Sequence, residues 1–113
     1  MTEVLLVKAK DGRFLECKAS GHAEFAEKGK DIVCSAVTIL MRTAIEVFLG
    51  TGGIELETDT SCRGYLSFTA GTEKSDSLLK ERISTIGDFL KEGFDSLSKE
   101  FPQNVTFELK LED

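Results

Sequence analysis

Changes in the spacing of apolar and polar residues divide this chain into elements. In "EVLLVKAKDGRFLECKAS", residues 3–20, two strand-like runs flank Asp11-Gly12, a dipeptide that accepts the positive φ of a tight turn, and together they predict a β-hairpin. Leu15, Cys17 and Ala19 are expected on one face of the second strand, opposite Glu16 and Lys18, which makes Cys17 a small core hydrophobe. From Asp31 the period becomes helical. "DIVCSAVTILMRTAIEVFLG", residues 31–50, is apolar nearly all round and predicts a central, largely buried helix stopped by Gly50. "GIELETDTSCRGYLSFTAG", residues 53–71, alternates twice around a turn-rich "DTSC" and predicts a second hairpin. Leu79, Ile83, Ile86, Leu90, Phe94, Leu97 and Phe101 then recur at steps of three, four or seven, the stripe of an amphipathic helix ended by Pro102. Val105, Phe107, Leu109 and Leu111 alternate with polar residues and predict a last strand with one buried face.

The order β-β-α-β-β-α-β has no linker, internal repeat or low-complexity segment. With 113 residues, it predicts one domain over 1–113. The economical architecture is α+β, a mostly antiparallel sheet with two helices packed on one face. At 41% hydrophobic and 30% charged residues, the composition supports a real core and argues against disorder. The opening "MTEVLLVKAKDGR" lacks a basic lead, an apolar run of signal length and a small-residue cleavage site. No later segment is expected to span a bilayer, so the expectation is a soluble, cytoplasmic protein without membrane contact.

The net charge of −6 disfavours direct binding to nucleic-acid phosphates or anionic lipid and permits a basic partner. Cys17, Cys34 and Cys62 are odd in number and widely spaced, which argues against a disulfide framework and for a reducing compartment. With one histidine and no CxxC pair, a tetrahedral Cys/His zinc site cannot be assembled, so neither a metal nor another cofactor is expected.

The candidate chemistry lies in "SGHAEFAEKGKDIVCSAVT", residues 20–38, where His22 precedes Cys34 by twelve positions. If Asp31 is the helix N-cap, Cys34 falls in the first helical turn, where the amides and the positive end of the helix dipole favour thiolate over thiol. Gly21 and Gly29 give the intervening loop the freedom to fold the His22 imidazole back onto the helix start. A thiolate-imidazolium pair suits acyl transfer. Sulfur attacks a carbonyl, imidazolium returns a proton to the leaving amine, and helix-start N–H groups are placed to bind the oxyanion. The plainer reading is a packing cysteine beside a solvated histidine.

Other thiol chemistries fit poorly. A phosphatase-type loop needs an arginine six residues after its cysteine, and that position holds Leu40, with Arg42 two residues too far. A thioredoxin-like centre needs a nearby resolving cysteine, and neither Cys17 nor Cys62 has the spacing. "GTGG", residues 50–53, closes a helix instead of opening one and lacks the Lys-Ser/Thr of a phosphate loop.

"GHAEFAEKGKDIVCSAVT", residues 21–38, closely resembles the active-site segment of Prp, the bacterial ribosomal-processing cysteine protease family. Its pattern is Gly-His-Ala, a short acidic loop, Gly-x-Asp-Ile/Val-Val-Cys and a hydroxyl residue four places on. The resemblance implies a Cys-His endopeptidase that removes a short N-terminal extension from large-subunit ribosomal protein twenty-seven, cutting after an aromatic pair and before alanine. Carried over by position, Cys34 is the nucleophile and His22 the general base and acid. Asp31 matches the family's aspartate and is assigned helix capping and site organisation before any orientation of His22. Thr38 stands where the family usually has serine, and its extra methyl restricts the hydroxyl's rotamers. Ser35 replaces a residue that is commonly alanine. The resemblance also implies a homodimer and a loop 23–30 that closes over an extended substrate strand. Two rivals make different predictions. A noncatalytic acidic, ribosome-associated protein-binding domain would bind its partner without Cys34, and a redox-sensing dimer would crosslink through Cys62.

Overall fold

The computed structural model describes residues 1–21, 32–60, 64–72 and 76–112. Its elements are β1 (Thr2–Ala9), β2 (Phe14–Gly21), α1 (Ile32–Leu49), β3 (Glu55–Asp59), β4 (Tyr65–Gly71), α2 (Ser77–Glu100) and β5 (Val105–Glu112). The five strands form one sheet in the order β3-β4-β2-β1-β5. Every neighbouring pair is antiparallel except β1 and β5, which run parallel because α2 carries the chain back across the sheet before β5 begins. Val4 and Leu6 of β1, Cys17 and Ala19 of β2, and Phe68 and Ala70 of β4 share one core with the buried faces of both helices. The helices therefore cover the same face, as the α+β reading expects.

Local chemistry fixes the turns. At the first hairpin Gly12 has φ 97°, and the Asp11 carboxylate accepts from the backbone N–H and the Nε–H of Arg13. The Arg13 backbone N–H, together with its guanidinium, holds the Asp11 carboxyl below the usual carboxylate range. α2 starts at an Asp76 N-cap whose side chain accepts from the amides of Leu78 and Leu79. It ends at Glu100, before Pro102, with the Phe101 amide donating to the Leu97 carbonyl.

Four details differ from the sequence expectation. First, Val7 pairs with Glu16 but Lys8 pairs with Phe14, which leaves Leu15 in a β-bulge. Phe14 takes the inward place, stacking on Phe68 with ring centroids 5.4 Å apart. Second, α1 stops at Leu49, just before Gly50 as expected, but Gly50 does not take a left-handed φ. Thr51 donates its backbone N–H to the Phe48 carbonyl and its hydroxyl to that of Val47, so the last carbonyls are satisfied, and the positive φ falls at Gly53.

Third, α1 is not largely buried. Val33, Val37, Met41, Ala44 and Phe48 face the sheet, while Ile32, Ile39, Val47 and Leu49 are exposed, since among the described residues no element covers the helix's back. By length and composition α1 is also apolar enough to cross a membrane, contrary to the expectation that no segment approaches such a span, but its buried face is packed into the core. Fourth, β5 buries only its beginning. Val105 is in the core and Phe107 packs on Phe94 at 5.9 Å, whereas Leu109 and Leu111 are exposed on this edge strand.

Cys17 is in the core, as expected, with no exposed surface. Burial first, and the adjacent Glu16 charge second, push its thiol up from 9.0 to about 12. Above pH 9 the unfolded chain therefore releases a proton that the folded chain keeps, so stability present at neutral pH is lost as pH rises toward 12. The Cys17 contribution should fall by about 1.4 kcal/mol per pH unit in that window. Denaturant melts of the native chain and Cys17→Ala between pH 8 and about 11 check this, and the slope should shrink in the variant.

Candidate active site

Helix α1 positions the candidate nucleophile. Its first residues are anchored by Val33, which is 1% exposed and plugs into the core, and this leaves Cys34 half-buried in the first turn. The apolar side of Cys34 packs against the core cluster. One turn further on, the Thr38 hydroxyl donates to the Cys34 carbonyl at 2.9 Å. The threonine methyl thus leaves a competent rotamer, and the hydroxyl ties down the turn that carries the thiol. The positive end of the α1 dipole lies at that turn and favours negative charge there.

Cys34 lines an open cavity of about 300 Å³ between the start of α1 and the ends of β1, β2 and β4. Val37 and Met41 from α1 and Leu66 from β4 give it apolar walls, and Thr2 and Thr38 also line it. This size and mixture suit part of an extended peptide more than a compact ionic ligand.

Gly21 closes the other side of the cavity. It has φ 89°, and a Cβ placed there would lie 2.3 Å from the Met1 carbonyl oxygen, so a side chain is excluded by both conformation and space. Its N–H donates to the Gly64 carbonyl at 2.9 Å, joining the end of β2 to the start of β4. Gly21 and Cys34 thus meet at one cavity although thirteen positions apart. The other expected site residues, His22, Asp31 and Gly29, and the loop 23–30, lie outside the described residues, as does Cys62.

Several cavity residues carry no motif in the sequence. Val37 and Met41 read there only as part of an apolar helix. Thr2 could have been found by its strand position. Together with Val4 and Leu6 it follows the inward alternation of β1, where a hydroxyl is out of place.

This cysteine-bearing cavity sits in a fold shared with solved bacterial proteins. The Staphylococcus aureus ribosomal processing protease Prp, crystallised with a covalently linked product peptide, superposes with a TM-score of 0.81 at 17% identity, covering 97% of this chain and 100% of that one. The Streptococcus mutans protein SMU.848 does so with a TM-score of 0.74 at 21% identity, covering 99% and 96%. In sequence, the chain is 22% identical over 105 residues to the ribosomal processing cysteine protease Prp of Bacillus subtilis strain 168, covering 93% of this chain and 94% of the relative. The family model described as Cysteine protease Prp matches residues 1–106, nearly the whole length over which the sheet, both helices and the Cys34 cavity are built, and the chain belongs to that family.

Proposed function

We propose that this chain is the endopeptidase that removes the N-terminal extension of large-subunit ribosomal protein twenty-seven during ribosome biogenesis, with Cys34 as nucleophile and His22 as general base and acid. The observation that carries the reading is the position of Cys34, in the first turn of α1 and on the wall of a cavity able to take a peptide segment. In this mechanism His22 accepts the thiol proton as Sγ bonds to the scissile carbonyl carbon. The tetrahedral intermediate collapses, the C–N bond breaks, and His22 gives the proton to the departing amine. Water, deprotonated by His22, then cleaves the thioester and frees the short peptide. Asp31 caps α1 in this scheme, and Thr38 and Gly21 hold the frame on either side of the thiol.

Charge supports a basic protein substrate. Glu55, Glu57 and Asp59 of β3 are exposed, and with a net charge of −6 the chain attracts a basic ribosomal protein without favouring nucleic acid. The chain would act in the cytoplasm without a cofactor. Exposed Ile32, Ile39, Val47 and Leu49 on α1 support a homodimer.

Thiol labelling separates this reading from the noncatalytic binding domain. At neutral pH iodoacetamide should modify Cys34 at least ~10³-fold faster than Cys17, whose thiolate is scarce and shielded. His22→Ala should slow Cys34 without affecting Cys17. Slow labelling of Cys34 that is indifferent to His22 would favour the binding domain.

A further inference from the structure

Thr2 carries an unexplained hydroxyl. Only 3% of the residue is exposed, and its Oγ1 is sealed from water without a hydrogen-bond partner among the described residues. Its backbone is well served, since the Thr2 N–H donates to the Asn104 carbonyl at 2.9 Å, so the orphaned group is the side chain alone. A buried hydroxyl without a partner is destabilising, and valine would fill the same branched shape without that cost.

The position gives the hydroxyl a use. Thr2 stands opposite Gly21 in the β1–β2 ladder and opposite Val105 in the β1–β5 ladder, at the end of the sheet that reaches the Cys34 cavity. Its side chain shares the inward face with Val4 and Leu6, and it lines the same cavity as Cys34. Around it the walls are mainly apolar, so a peptide carbonyl drawn into the cavity leaves water and needs a donor. We infer that Thr2 is a substrate-positioning residue whose hydroxyl donates to a backbone carbonyl of the peptide beside the scissile bond.

This inference rests on the protease reading above and deepens it. The hydroxyl is covered in the free protein, so the hydrogen bond forms only on binding. Stability and recognition then oppose each other at one atom.

The test compares the native chain with Thr2→Val and Thr2→Ser by thermal melting and by cleavage of the precursor of ribosomal protein twenty-seven. Thr2→Val should melt a few degrees higher than the native chain while KM rises roughly 5- to 100-fold with kcat unchanged. Thr2→Ser, which keeps the hydroxyl, should restore the native KM. A merely structural hydroxyl would give Thr2→Val a lower melting temperature or a failure to fold, and either result overturns the inference. So does a native KM in Thr2→Val when the native chain cleaves normally. Failure of the native chain to cleave overturns the protease reading and this inference with it.

Discussion

Cys34→Ala is expected to abolish cleavage, lowering kcat by at least about 10⁴-fold, while the protein stays folded. The loss is that large because the remaining groups cannot supply a covalent route. Without Sγ there is no acyl-enzyme, and His22 would have to activate water directly against an amide. The structural cost is small. Cys34 is half-buried, its backbone position is set by α1 and by the Thr38 hydroxyl bond to its carbonyl, and alanine keeps both. Removing one partly exposed sulfur should cost about 1 kcal/mol or less. Circular dichroism and denaturant melts would show a folded variant, and a cleavage assay would show none of the native rate. Residual activity near the native level would assign the chemistry to another residue.

The second large effect is on stability, at Gly21→Ala. The left-handed φ of 89° alone costs a side-chain-bearing residue about 1–3 kcal/mol. Space adds to it, since the new Cβ would sit 2.3 Å from the Met1 carbonyl oxygen, a backbone atom with no rotamer to escape into. Relief requires β1 and β2 to part where Thr2 faces Gly21, and it strains the Gly21–Gly64 hydrogen bond that ties β2 to β4. A total of roughly 3–5 kcal/mol is expected, read as a lower midpoint in urea. Activity should fall as well, because the shifted backbone directly precedes His22 and forms one wall of the Cys34 cavity. A variant within about 1 kcal/mol of the native chain would show that the close approach at Met1 relaxes freely.

Much of the fold is legible in the sequence because period and burial agree. The stripe of α2 from Leu79 to Phe94 is apolar where it meets the sheet, and Asp11-Gly12 marks a turn by side-chain chemistry alone. The departures arise where tertiary context decides. Nothing in "RFLECKA" distinguishes Phe14 from Leu15 as the inward residue, because the bulge that selects Phe14 is set by the register of β1 against β2. The burial of Leu109 and Leu111 depends on how far α2 reaches over an edge strand, and a one-dimensional pattern does not contain that distance.

For the site, the segment that holds Gly21, Cys34 and Thr38 is continuous and readable. The opposite wall is not, because Thr2 and Leu66 come from strands far apart in the chain and meet only through the sheet order β4-β2-β1.

Cleavage is decided by incubating the native protein with the precursor of the organism's own ribosomal protein twenty-seven and weighing the products by mass spectrometry. A released N-terminal peptide ending in the aromatic pair and a shortened ribosomal protein beginning with alanine are expected. An intact precursor in the presence of folded protein with a reactive Cys34 would rule out the protease assignment.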